Sequence, residues 1–417
     1  MNPMLGYDPA VPQRDLLLDT DFVRGRLRRV LGPKGPLRID ECRQVRVKYR
    51  VGARLRVLNA IRVGAERFDV AASTFPTVQR SEQAYVRAQV DAVACGLVRA
   101  VAHDRELSTV FWTFPNDRKL AHLPALAGPA PQLSKLLPGW SRSILAAYAP
   151  EKAATVRCLD IAGRTLAYAK SYVDGDGDQA GRVHEALTRA LGPDDLYLRV
   201  PRPIAYSPAH RTLVVEQVGG VPLQAPEVPD RRAAYRALGR ALARLHELDA
   251  PKAPFRRPAP DRVMAAAELI ASVRADVAAS ARALAREISE RLDDHDSVCL
   301  HGDVNFRNAL LENGRVVLID LDQASAGPAA AELGSVLASL RYAAAIGLIR
   351  SAAVPDLGSA LLSGYSELRT PPAAPALRAH TAAALLAERC LRVVTRVRPE
   401  GLRRLPAMLA DAREALA

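Results

Sequence analysis

The 417-residue chain is poor in cysteine, with only Cys42, Cys95, Cys158, Cys299 and Cys390, an odd number spread along its whole length. Such spacing excludes a disulfide framework and offers no paired ligands for zinc. Long apolar runs are also lacking: none reaches the roughly 18 residues of a membrane span. The N-terminus, MNPMLGYDPAVPQRDLLLD, has no basic segment followed by an apolar one, so a cytoplasmic protein without a membrane partner is expected. Lysine is scarce, seven of the 58 basic residues, so a lysine where chemistry calls for a compact ammonium stands out. Acid is short of base, giving a net charge of +13. The surplus lies in residues 1–150, with 23 Lys/Arg against 13 Asp/Glu, and the remainder is nearly balanced at 35 against 32. No basic run or aromatic-interleaved patch accompanies it. It reads as a solvated basic face, and a nucleic-acid partner is not expected.

What is present describes an ordinary globular protein, 49% hydrophobic and 25% charged, long enough for two or three domains. The most informative stretch is Val298–Asp322, VCLHGDVNFRNALLENGRVVLIDLD. Short apolar runs at Val298–Leu300, Ala309–Leu311 and Val316–Ile319 predict strand, loop, strand, turn, strand. Asn313-Gly314 supplies the positive φ of a tight hairpin turn. Cys299 lies in the first strand, where packing is expected rather than reactivity. The polar residues between the strands follow H-x-D-x-x-x-x-N, with an Asp twelve residues after the Asn. Phosphoryl transfer from a nucleotide needs Mg²⁺ held, a hydroxyl oriented and its proton accepted, which calls for carboxylates and an amide from separate short segments. Asp303 suits the base or orienting carboxylate, and Asn308 and Asp320 suit the metal. His301 suits a brace for the loop, although it stands among the candidate catalytic residues.

HGDVNFRN followed by LIDLDQASAGPAAAEL resembles the aminoglycoside phosphotransferase family, small-molecule kinases built on the protein-kinase fold. The resemblance implies Asp303 as catalytic base and Asn308 and Asp320 as Mg²⁺ ligands, with Asp322 as a further metal candidate. Gly327 and Glu332 match a glycine and an acidic residue, usually Asp, that the family places just downstream.

Earlier in the chain a pattern occurs twice. Residues 46–75 and 145–174 each alternate like a strand pair around a glycine. At an offset of 99, Tyr49 falls on Tyr148, Val57 on Val156 and Gly64 on Gly163. Helices are predicted at Ser81–Val98 and Asp178–Leu191. Val101–Leu120 then aligns without gaps on Ile204–Leu223 at an offset of 103. Each copy has the make-up of a kinase N-terminal lobe. In the second, Lys170 ends the third strand as that lobe's phosphate-binding lysine does, and Glu185 is the one Glu of the following helix, its expected ion-pair partner. Glu216, Gln217 and Val218 form the expected hinge to the adenine, before Gly219-Gly220. The first copy has Ala71 for Lys170 and Thr113 for Glu216. No glycine-rich phosphate loop is seen: Ala149-Pro-Glu-Lys-Ala153 stands in its place. Ala121–Gly139, with four prolines, reads as a linker.

The expected fold is α+β: a bilobal protein-kinase-like fold preceded by a degenerate duplicate of its N-lobe. The expected domains are 1–130 (the duplicate), 131–218 (the N-lobe) and 219–417 (a mostly helical C-lobe with the catalytic loop). His246, at the end of a helical run Pro229–Leu248, is expected as a core or capping residue. Arg389, Arg392, Arg396 and Arg398 are expected on solvated faces. The expected reaction moves the γ-phosphate of ATP or GTP, with Mg²⁺, to a hydroxyl. Its acceptor is left open among sugars, amino alcohols, antibiotic or natural-product intermediates and peptide Ser/Thr. Sugar kinases of the family that carry an added N-terminal domain tilt the choice toward a carbohydrate or natural product. A pseudokinase scaffold is the alternative. Monomer and homodimer both stay open.

Overall fold

Alternating apolar residues in the first half of the chain and Ala/Leu stripes in the second separate it into sheets and helices. The protein, seen in a computed structural model, is described over residues 4–223, 225, 227–251, 259–292 and 297–417. In chain order the elements begin with α1 (Arg14–Leu18), α2 (Thr20–Val30), β1 (Glu41–Arg50), β2 (Arg54–Val63), β3 (Glu66–Thr74), α3 (Val78–Val90), β4 (Val101–Asp104), β5 (Thr109–Thr113), α4 (Leu123–Ala127) and α5 (Pro131–Leu136). They continue with β6 (Arg142–Ala149), β7 (Ala153–Leu159), β8 (Thr165–Tyr172), α6 (Asp176–Leu191), β9 (Leu198–Arg199), β10 (Pro203–Ser207), β11 (Thr212–Glu216), β12 (Val221–Pro222) and α7 (Arg231–Leu245). The last part holds α8 (Pro260–Val273), α9 (Ala278–Ser289), β13 (Val298–Leu300), β14 (Ala309–Glu312), β15 (Arg315–Leu318), β16 (Ser325–Gly327), α10 (Ala329–Ala345), α11 (Ala353–Ser366), α12 (Ala374–Ala384), α13 (Leu391–Thr395), α14 (Pro399–Arg403) and α15 (Leu405–Leu416).

Two compact units result. The first comprises Met1–Asp178, Ile204–Val215 and Thr395–Val397; the second comprises Gln179–Pro203, Glu216–Val394 and Arg398–Ala417.

The first unit contains two five-stranded sheets of the same order, β1-β2-β3-β5-β4 and β6-β7-β8-β11-β10, each with a helix after its third strand. The likeness extends to side chains. Tyr49 donates to the Asp8 carboxylate at 2.5 Å, which also accepts the Gly52 N–H at 2.9 Å. Tyr148 donates to Asp117 at 2.6 Å, which accepts the Glu151 N–H at 2.9 Å. Gly52 and Glu151, 99 residues apart, both have positive φ, and so do Ser108 and Arg211, 103 apart.

Two expectations are corrected here. The helix predicted at Ser81–Val98 ends at Val90, because Asn116 binds both backbone groups of Val93 and Gly96 turns with φ +62°. The segment 121–139 is not an open linker: α4 and α5 lie in it, and their Leu123, Leu126 and Leu133 are buried in one core with Tyr148, Val156 and Ala169.

The second unit is mainly helical. Its core joins α7, α10 and α11 to the small sheet β12-β14-β15-β9. Helix α7 packs closely on α11 because Gly239 and Gly364 leave room for the opposing backbone. Arg389 is a further correction. It lies in a π-helical turn, Leu385–Cys390, is 6% exposed and donates to Ser335 and to Ser339 at 2.6 Å. Among the described residues no helix is long and apolar enough to cross a membrane.

Candidate active site

Strand β13 delivers the chain to His301, which is fully buried. Its Nδ1 accepts the Asp303 N–H at 3.2 Å, so the ring proton sits on Nε2 and is donated to the Ile319 carbonyl at 2.9 Å. Both ring nitrogens are thus occupied in shaping the loop. This arrangement suits His301 as a brace for the loop.

The loop is held from below by Glu332, buried in the first turn of α10. Its two carboxylate oxygens accept the N–H groups of His301 and Gly302, each at 2.9 Å. His246, which follows α7, brings Nε2 to 3.5 Å from the same carboxylate, while its Nδ1 is 2.9 Å from the Tyr365 hydroxyl. Gly302 has φ +83°, and a Cβ there would lie 2.0 Å from the Gln323 carbonyl oxygen. No other residue fits this turn.

Asp303 therefore projects from a rigid loop. Its carboxylate accepts no hydrogen bond from a described residue, and Arg392 on α13, 3.9 Å away, is the one cation within 4 Å. Its backbone carbonyl accepts from the Asn308 side-chain amide at 3.0 Å. That bond uses the Asn308 nitrogen and leaves its oxygen as the group able to meet a cation. Asn308 and Asp320 are brought side by side by the β14–β15 register, Ala309 opposite Leu318, which the Ile319 N–H extends to the Asn308 carbonyl at 2.9 Å. The turn between these strands has Asn313 at φ +51° and Gly314 at φ +80°, the primed hairpin turn expected of Asn-Gly. Asp320 itself is left-handed at φ +65°, ψ +61°, a conformation uncommon outside glycine that turns its carboxylate out of the strand. Asp322 follows in a short 3₁₀ turn. Among the described residues no three His, Cys, Asp or Glu gather as a metal cage. An amide oxygen with one or two carboxylates still suits Mg²⁺, which keeps waters and uses substrate phosphates as ligands.

Cys299 is buried beside this loop, and burial with the nearby Glu332 charge pushes its thiol up to about 12. It packs rather than reacts.

Lys170 lies on β8 opposite Thr155, with Nζ 5.2 Å from the centre of the Tyr172 ring. Glu185 departs from expectation. The buried stripe of α6 is Ala180, Val183, His184, Leu187 and Leu191, and Glu185 falls on the exposed side with no ion pair among the described residues. At the hinge, the Glu216 carboxylate is taken up by Arg199 at 3.1 Å and by the Arg202 N–H at 3.0 Å. The Glu216 N–H bonds the Arg202 carbonyl. The backbone groups of Gln217 and Val218 make no hydrogen bond among the described residues.

The β6–β7 turn, in the position of a phosphate loop, is tied down instead. The Glu151 carboxylate accepts from Arg118 at 2.5 Å and Ser73 at 3.1 Å, with Arg54 and Arg56 within 3.4 Å. Sequence reasoning missed this cluster and missed Arg392, because neither has a spacing that marks it.

Residues 170–370 match the model of a phosphotransferase enzyme family, APH. This segment belongs to that family. The chain is also similar to streptomycin 3''-kinase of Streptomyces griseus, 32% identical over an alignment of 146 residues that covers 31% of this chain and 54% of that protein. The chain thus spans about half the length of the curated relative it matches. A solved structure of a candidate aminoglycoside phosphotransferase from Ralstonia eutropha JMP134 superposes with a TM-score of 0.52 at 16% identity, covering 68% of this chain and 96% of that one. A thermostable variant of aminoglycoside phosphotransferase APH(4)-Ia, solved with ADP and hygromycin B, gives 0.50 at 15% identity over 69% and 98%. At these identities the likeness shows the APH fold, kinase-like, with a sheet-containing lobe and a helical one.

Proposed function

We propose that the protein transfers the γ-phosphate of ATP or GTP, with Mg²⁺, to a hydroxyl of a small molecule. The observation that carries this reading is the loop 301–308. Glu332 and His301 fix its backbone, and the loop's one carboxylate, Asp303, accepts no hydrogen bond from a described residue and stands beside the Asn308–Asp320 pair. Asp303 orients the acceptor hydroxyl and takes its proton as the oxygen bonds to the γ-phosphorus and the bond to the β–γ bridging oxygen breaks. Asn308 and Asp320 would hold Mg²⁺, with Asp322 as a further ligand, and the ion would supply charge to offset that of the phosphates. Lys170 binds the phosphates, and the backbone of Gln217 and Val218 meets the base. Glu185 has no part in this scheme.

The acceptor is read from Arg392. A guanidinium 3.9 Å from the catalytic carboxylate disfavours a polycation there and suits a neutral or anionic sugar or natural-product intermediate. The sheet β1-β2-β3-β5-β4 (domain 1–130) is a copy of the N-lobe sheet that has lost its nucleotide-binding lysine, Ala71 standing for Lys170. The matched Tyr–Asp pairs and positive-φ turns support that reading.

A scaffold without catalysis is the second reading, favoured by the solvent-facing Glu185 and by Glu151 locking the turn where a phosphate loop belongs. Mg²⁺-dependent ADP release against pools of sugars, amino alcohols, aminoglycosides and Ser/Thr peptides separates the two. Release that depends on one pool and is lost in Asp303→Asn supports the kinase. Absence of both release and Mg²⁺-dependent nucleotide binding supports the scaffold.

A further inference from the structure

Five cations line one cavity of the first unit. Arg46 and Lys48 come from β1, Arg56 from β2, Lys152 from the β6–β7 turn next to Pro150, and Arg396 from the residues after α13. The cavity measures about 100 Å³, where a single water needs only about 10–15 Å³. Among the described residues no carboxylate lines it. The β1–β2 register sets Lys48 directly opposite Arg56, a like-charge pair that destabilises a sheet unless something neutralises it. Arg56 is steadied from outside the cavity by Glu151 and by the Pro150 carbonyl. The side chains of Lys48 and Lys152 have no hydrogen-bond or ion-pair partner among the described residues, and they are two of only seven lysines in the chain. Desolvation at the cavity, then the charges of Arg396, Arg56, Lys152 and Arg46, lower the Lys48 pKa to about 8.

We infer that this cavity is an anion site that takes the phosphate group of a small molecule other than the nucleotide consumed in the reaction. Lys48 and Lys152 are the two cations here without a partner among the described residues, and a singly charged carboxylate would compensate only one of them. A doubly charged tetrahedral group offers several oxygens, which match both the point charges of lysine and the planar donor forks of arginine. The site uses the N-lobe-like sheet, so it assigns that sheet a ligand that the catalytic loop does not need.

The test is calorimetric titration of the full-length protein with pyrophosphate at low ionic strength, in the presence of saturating ADP. Binding is expected in the wild type, weakening as salt is raised. It is expected to be at least tenfold weaker in Lys48→Ala/Lys152→Ala and unchanged in Asp303→Asn. Lys152→Ala alone, in an exposed turn, gives a partial loss and guards against misfolding of the double variant. The proposal is overturned if pyrophosphate does not bind, if the lysine variants bind it as well as the wild type, or if ADP prevents binding, which would make the cavity part of the nucleotide site.

Discussion

The buried carboxylate of Glu332 accepts the backbone N–H of His301 at 2.9 Å, across 31 residues of sequence. With its second oxygen on the Gly302 N–H it anchors the loop that presents Asp303. Glu332→Ala strands two backbone donors in a dry place, and each costs about 1–3 kcal/mol. We expect a loss of stability of about 2–4 kcal/mol in urea denaturation, together with loss of phosphoryl transfer. Asp at this position, one methylene shorter, is expected to restore part of both.

Gly302→Ala is expected to be as damaging for a different reason. At φ +83° a Cβ is strained and meets the Gln323 carbonyl oxygen at 2.0 Å, so either the loop or the turn after Asp320 must move. Turnover is expected to fall at least tenfold. Unchanged turnover in this variant would show that the loop has slack which the packing denies.

Asp303→Asn separates chemistry from folding. The carboxylate holds nothing in place beyond a 3.9 Å approach to Arg392, so the melting temperature is expected to stay within a degree or two. Removing the base is expected to cost about 10²–10⁴-fold in kcat. Arg392→Ala is expected to raise KM for the acceptor while leaving KM for the nucleotide alone. Equal effects on both would remove Arg392 from the acceptor site.

Acid sensitivity is expected to centre on Glu151. Burial alone would raise its pKa, but the hydrogen bond and charge of Arg118, with the charges of Arg56 and Arg54, outweigh it and hold the carboxyl below its ordinary 4.5. The folded state therefore binds this proton less readily than the unfolded chain. The stability it contributes is present above about pH 4.5 and is lost as pH falls through the lowered folded value. Glu151→Gln is expected to cost about 2 kcal/mol at neutral pH, and to flatten the fall in stability below pH 4.5 in denaturation curves recorded from pH 7 to 3.

How far the sequence reached can be judged at particular residues. The hairpin of β14 and β15 was legible because Asn313-Gly314 is a local device. The neighbouring Asn308 and Asp320 followed from it, since strand register is set by the turn. The like order of the two sheets was legible through glycines and alternation at fixed offsets. The end of α3 at Val90 was not, because it depends on Asn116, 23 residues beyond Val93 in sequence.

What the sequence determined by itself are features whose cause lies within a few residues: turns that need positive φ, strands that alternate, and the polar loop from His301 to Asn308 between two of those strands. The tertiary structure decided which charges meet. It buried Arg389 against two serines, turned Glu185 to solvent, closed Glu151 into three arginines and brought five cations to one cavity. Long flexible side chains reach several ångströms from their backbone, and their partners come from segments far apart in the chain. No period or motif in the sequence records those distances.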